Sequence, residues 1–122
     1  MRDPYTVLGV QKSVSEKDLK SAYRKLAKAL IRLAPEGMAF HEIAFRDLPL
    51  YSPDYDANFP QVALDFKAAI AASDAVLFVT PEYNRSVPAP LKNAIDVGSR
   101  PYGKAVWSGK PGAVISVSPG TT

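Results

Sequence analysis

An α/β fold with a parallel sheet is what this sequence predicts, on three observations. Two stretches, "AVLFVT" at 75–80 and "PGAVISVS" at 111–118, are continuously apolar at strand length, the pattern of strands covered on both faces. Amphipathic helical stretches precede and separate them. The resulting order, helix, strand, helix, strand, helix, strand, implies βαβ crossovers and a layered sandwich.

The first helix is expected over 16–33. Ser15 with Asp18 forms an approximate capping box, and Leu19, Ala22, Tyr23, Leu26, Ala27 and Leu30 recur at helical spacing. Pro35 and Gly37 end it. "MAFHEIAF" at 38–45 is rich in strand formers and predicts a short strand; "RDLPLYSPDYDANFP" after it, with three prolines, predicts a long surface loop. A second helix over 61–73 places Val62, Phe66, Ala69 and Ile70 on one face. "PEYNRSVPAP" reads as a loop, "LKNAIDVG" as a short helix stopped by Gly98, and "RPYGKAVWSGK" as a loop before the last strand.

Composition bounds the possibilities. At 122 residues there is room for one ordinary domain. Apolar residues at 47% and charged residues at 22% argue for a packed core. The net charge of +3 gathers between Lys12 and Arg32 as a local basic face, which makes no general case for nucleic acid. With no cysteine, disulfides, thiolate metal sites and thiol catalysis are excluded, and His41 has no second ligand at metal spacing, so no metal site is expected. No apolar run approaches membrane-spanning length and no signal-peptide pattern follows Met1, so a cytoplasmic protein away from membranes is expected.

In a doubly wound sheet ligands bind at the loops beyond the carboxyl ends of strands. Here those loops are "PEYNRSVPAP" after Thr80 and "SPGTT" after Val117. The first sets Glu82, Tyr83, Asn84 and Ser86 among three prolines, offering backbone N–H groups, an aromatic face and an amide on a rigid turn. Such a turn can hold a flat heterocycle with polar edges. As plain structure, the same loop is a turn, Lys92 and Asn93 begin a solvated helix, His41 is an exposed strand residue, and Trp107 is a packing or subunit-contact residue.

"VTPEYNRSVPAPLKNAID" closely resembles the signature loop of the NADPH-dependent FMN reductase family, flavodoxin-like enzymes that include quinone and chromate reductases. The likeness runs from about Arg24 to the end, about four fifths of the chain, through "RKLAKAL", "LAPEGMAFHEIAFRDLPLYSPDYDA" and "GKPGAVISVSPG". The resemblance implies that Pro81, Glu82, Tyr83 and Asn84 line the isoalloxazine ring of FMN, with Ser86 and Val87 at the same rim. Ser118, Pro119 and Gly120 close the other side. It implies hydride transfer from NAD(P)H to FMN and onward to a small-molecule electron acceptor, with no catalytic side chain required because the flavin supplies the reactivity. A homodimer is among the assemblies it implies.

The family's first strand and its phosphate loop of the Gly-Ser-x-Arg type are not recognisable, nor are its final strand and helices, so an incomplete flavodoxin-like three-layer sandwich with impaired cofactor binding is expected. Before the likeness begins, "DPYTVLGVQKSVSEKDLKSAYRKLAK" at 3–28 resembles the first half of a J-domain, the co-chaperone module acting on DnaK-type ATPases. That resemblance would place Lys17, Lys20, Arg24, Lys25 and Lys28 on a chaperone-binding face. Ile31, Arg32 and Leu33 stand where a J-domain carries its His-Pro-Asp triplet, so no chaperone stimulation is expected.

The two likenesses overlap inside one helix, where two amphipathic stripes of equal period can be joined. The sequence is therefore read as a chimera, natural or constructed, or as a gene-model error, with a J-domain-like segment over 1–30 and a truncated reductase domain over 24–122. "YTVLGV" at 5–10 stays open between helix and strand. As a strand it would fill the central slot of the sheet, with Lys12, Ser13 and Ser15 as anion ligands of a makeshift phosphate loop. The leading function is an NAD(P)H-dependent FMN or quinone reductase; the alternatives are a J-domain-like interaction protein and a chain without function.

Overall fold

The computed structural model describes residues 16–118. Helix α1, Glu16–Arg32, turns Arg24, Lys25, Lys28 and Arg32 to solvent and half-buries Leu26, Ala27, Leu30 and Ile31, as its apolar spacing dictates. It lies against strand β1, Val76–Pro81. Beyond the helix, Met38 N donates to Pro35 O at 3.1 Å across a turn in which Gly37 takes φ 90°, a conformation that costs a glycine nothing.

Residues 38–45 form no strand. The alternation is real, because Ile43 and Phe45 pack toward the core while Glu42, Ala44 and Arg46 are exposed. A strand also needs a neighbour for its N–H and C=O groups, and no described segment pairs with this one. The long loop after it carries a short 3₁₀ turn, Pro53–Tyr55, capped by the Ser52 hydroxyl, which accepts from Asp54 N at 3.3 Å.

Helix α2, Gln61–Ala71, buries Ala63, Phe66 and Ile70. The face differs by part of a turn from the one the sequence suggested: Val62 and Ala69 are exposed, and Ala63 takes the inward position. Helix α3, Ala89–Ser99, buries Leu91, Ala94, Val97 and Gly98 and packs on α2. One core joins Leu48 and Phe59 of the long loop, Ala63, Phe66 and Ile70 of α2, and Ala94 and Val97 of α3.

Strand β2, Gly112–Val117, pairs in parallel with β1 in the register Val76↔Gly112 to Pro81↔Val117. The α3 crossover thus returns the chain in the same direction, as the two apolar runs required. Burial is uneven along the sheet. β1 is half-buried to fully buried, whereas β2 is mostly exposed until Val117, because α1 lies against β1.

Gly98 does not stop α3. It lies inside the helix, and its missing side chain makes the seat for Trp107, whose ring also meets Phe66 and Phe78 with centroids 6.2 and 5.6 Å away. Trp107 is accordingly a packing residue. Among the described residues no helix is long and apolar enough to cross a membrane.

Candidate functional site

Parallel pairing brings the carboxyl ends of both strands to one edge, since Pro81 is in register with Val117. The ladder runs one bond further, with Glu82 N donating to Val117 O at 2.8 Å. Ser118 therefore leaves the sheet next to the loop that begins at Glu82. Thr80, only 3% exposed, donates its hydroxyl to Pro81 O at 2.9 Å, so its buried side chain is satisfied.

The loop then folds on itself. Tyr83 N donates to Ser86 O at 2.9 Å and Ser86 N to Tyr83 O at 3.0 Å, and Asn84 and Arg85 between them have φ of 52° and 61°. Two successive left-handed residues closed by such a pair make a type I′ turn. Asparagine tolerates that conformation well; arginine does not. The reciprocal bonds use the N–H groups of Tyr83 and Ser86, while those of Asn84, Arg85 and Val87 make no hydrogen bond among the described residues. Buried Pro88 then starts α3 at φ −59°, accepting from Lys92 N at 3.0 Å.

The sequence-predicted residues fall as follows. Pro81 is buried, Glu82, Tyr83, Val87 and Ser118 are half-buried, and Asn84 and Ser86 are exposed, all at the carboxyl edge of the sheet. Pro119 and Gly120 lie outside the described residues, as do residues 5–10 and Lys12, Ser13 and Ser15. A cleft of about 360 Å³, lined by Val76, Phe78, Ile95, Trp107, Lys110 and Gly112, opens at the opposite, amino ends of the strands and has no part in this edge.

Two residues near the site escaped sequence reasoning. The sequence alone assigns Arg85 no role within the loop. Asn93, read as the start of a solvated helix, is half-buried: its Nδ2 donates to Pro49 O at 2.9 Å and its Oδ1 accepts from Tyr51 N at 2.8 Å. That pair of hydrogen bonds holds the long loop against α3, the helix that issues from the candidate turn. The available signal was an amide set inside a helix between Leu91 and Ala94, where asparagine is poorly suited unless its side chain has work elsewhere.

A second tie lies at the far end of α3. Arg100 donates from Nε to the Tyr51 hydroxyl at 2.7 Å and from a terminal nitrogen to Asp56 at 2.6 Å, and the Tyr51 hydroxyl donates to Asp56 at 2.8 Å. Bonds from Asp56 and Tyr51 push the Arg100 guanidinium up from its usual value. Lys67 donates to Arg100 O and sits 4.1 Å over the Phe59 ring; burial depresses its pKa. The middle and the carboxyl end of α3 are thus fixed to the loop that precedes α2.

Comparison with known proteins bears on this arrangement. The model of the family described as NADPH-dependent FMN reductase matches residues 7–122. A quinone reductase of Pseudomonas putida is 60% identical over 103 residues, covering 83% of this chain and 55% of the relative. An NAD(P)H-dependent FMN reductase of Pseudomonas aeruginosa is 41% identical over 121 residues, 98% of this chain and 63% of the relative. Among solved structures, the flavoenzyme NAD(P)H:(acceptor) oxidoreductase FerB from Paracoccus denitrificans superposes with a TM-score of 0.75 at 47% identity, covering 90% of this chain and 59% of that one.

The chain spans about half to three fifths of the length of these relatives. The likeness to FerB gives the fold as flavodoxin-like α/β with a parallel sheet. The family match also runs through most of the 3–28 stretch read as J-domain-like, and nothing in the described helix or the comparisons supports a J-domain there. The chain belongs to the NADPH-dependent FMN reductase family.

Proposed function

We propose that this chain carries the ring-binding edge of an NAD(P)H-dependent FMN oxidoreductase whose electron acceptor is a small quinone-like molecule. The observation that carries the reading is the type I′ turn at Asn84 and Arg85, set at the shared carboxyl edge of two parallel strands with three backbone N–H groups unused among the described residues. Unused donors on a fixed turn suit the carbonyl oxygens of an isoalloxazine ring, and the carboxylate of Glu82, a half-buried residue, suits its ring N–H. Tyr83 and Val87 offer half-buried apolar surface at the same rim, with Ser118 on the other side; Pro119 and Gly120, which the reading adds to Ser118, lie outside the described residues.

FMN held at this edge would supply the hydride and electron-transfer chemistry between NAD(P)H and the acceptor. The chain's own work is to fix the ring edge and shield it from water. For the phosphate end of the cofactor the reading keeps Lys12, Ser13 and Ser15 as anion ligands, which lie outside the described residues. A cytoplasmic homodimer belongs to the same reading, and sedimentation of the purified chain tests the dimer.

FMN titration tests the cofactor directly. Flavin fluorescence is expected to quench saturably on adding the chain, and less strongly with Glu82→Ala. NADPH oxidation should then depend on both FMN and an added benzoquinone. Flavin emission that stays unchanged at any protein concentration would remove the basis of the reading.

A further inference from the structure

The stretch from Thr80 to Arg100 contains three cationic side chains, Arg85, Lys92 and Arg100. Lys92 is matched by Asp96 at 2.6 Å and Arg100 by Asp56 at 2.6 Å. Arg85 has no such partner among the described residues, although Glu82 is only three positions away. Its charge is exposed at the tip of the candidate loop and is not neutralised by any described residue.

Its backbone makes the choice of residue more informative. At φ 61° a side chain costs roughly 1–2 kcal/mol, and glycine is the ordinary occupant of the second position of a type I′ turn. An arginine held there against conformational preference, beside the unused N–H groups of Asn84 and Val87, concentrates positive potential at the rim. Strain of this kind at a site points from the outlier to a role for the side chain.

On the reading above, a neutral quinone gives that charge nothing to bind, and the flavin phosphate is assigned elsewhere. The remaining anion is carried by the reductant. We propose that Arg85 recognises a phosphate of the nicotinamide nucleotide as it approaches the flavin edge. This rests on the flavin reading, and two phosphate positions share the chemistry: the pyrophosphate common to both nucleotides and the 2′-phosphate of NADPH.

Calorimetric titration of the FMN-supplemented chain with NADP⁺ and with NAD⁺ tests it, comparing wild type, Arg85→Gly and Arg85→Lys. Arg85→Gly preserves the turn and is expected to weaken NADP⁺ about tenfold, with Arg85→Lys losing less. An NAD⁺ affinity left unmoved assigns the 2′-phosphate; an equal loss for both nucleotides assigns the pyrophosphate. Titration of the chain with adenosine 2′,5′-bisphosphate before FMN is added gives a reading independent of the flavin.

The proposal is overturned if Arg85→Gly stays within twofold of wild type for every nucleotide, or if its FMN affinity falls in step with its nucleotide affinity. Failure of the flavin reading is seen separately, as no FMN binding by the wild type. The bisphosphate titration still decides in that case, and absent or Arg85-independent binding ends the proposal.

Discussion

A Cβ placed on Gly98 would lie 2.5 Å from the Cε2 and Cζ2 atoms of Trp107. The indole rests directly on the backbone of α3, donating from Nε1 to Ile95 O at 3.2 Å, while Val106 N donates to Gly98 O at 2.8 Å. These bonds fold the loop between α3 and β2 back over the helix, so that one missing methyl group decides where the loop lies.

Substitution of Gly98 by alanine sets two effects against each other. Alanine gains about 1 kcal/mol of helix propensity, but overlap with a rigid ring costs about 1–3 kcal/mol. The overlap should win, and Gly98→Ala is expected to destabilise the chain by about 1–2 kcal/mol in urea unfolding. Removing the ring as well reverses the sign: in a Trp107→Ala background, itself weakened by about 3 kcal/mol, Gly98→Ala should stabilise. Additive effects in the double variant would refute the contact as the cause.

Asn93 gives a prediction that size cannot mimic. Asn93→Ala removes a donor to Pro49 O and an acceptor for Tyr51 N, at about 1–3 kcal/mol. Asn93→Asp keeps the shape and the acceptor, but sets an oxygen against the Pro49 carbonyl and should not rescue stability. Hydrogen exchange at the Tyr51 amide is the local readout, fastest in Asn93→Ala. Equal protection in all three proteins would show that the loop is held by its apolar contacts instead.

How far the sequence could be read follows from which interactions are local. The strands were legible because a buried parallel strand is continuously apolar, and the helices because a stripe repeats within one element. Residues 38–45 show the limit. Their alternation correctly sent Ile43 and Phe45 inward, but strand formation depends on a partner that no local pattern reveals. The loop at 81–88 was recognisable as a whole string and its placement beside Ser118 followed from strand direction. The left-handed pair at Asn84 and Arg85 carried no glycine to announce it. Gly98 misled, since a helix-ending glycine and one that admits an aromatic ring look alike until Trp107, nine positions on, is seen to pack there.

The turn itself should respond unequally to glycine. Arg85→Gly relieves the left-handed strain and, after the greater freedom glycine brings to the unfolded chain, should gain about 0.5–1 kcal/mol. Asn84→Gly should change little, because asparagine already tolerates φ 52°. Asn84→Ala should lose about 1 kcal/mol. Thermal unfolding orders the variants, and a loss of stability in Arg85→Gly would mean that the arginine side chain supports the turn rather than merely enduring it.

The cluster of Tyr51, Asp56 and Arg100 predicts a pH response on both sides of neutrality. Burial opposes ionisation of Asp56, but the bonds from Tyr51 and Arg100 outweigh it and hold the carboxyl below its ordinary value of 3.8. A depressed folded-state value means that the stabilisation is present above pH 3.8 and fades as pH falls below it through that lowered value. Burial, then the bond to Asp56, pushes the Tyr51 phenol above its ordinary 10.0, with Arg100 opposing. A raised value means a contribution complete below pH 10.0 and lost as pH rises through it. In urea midpoints followed against pH, Asp56→Asn should therefore flatten the acid limb and Tyr51→Phe the alkaline limb. Each variant should leave the other limb's direction intact. A wild-type acid limb retained in Asp56→Asn would assign the acid sensitivity to other carboxylates and leave the Arg100 bridge a surface pair of little consequence.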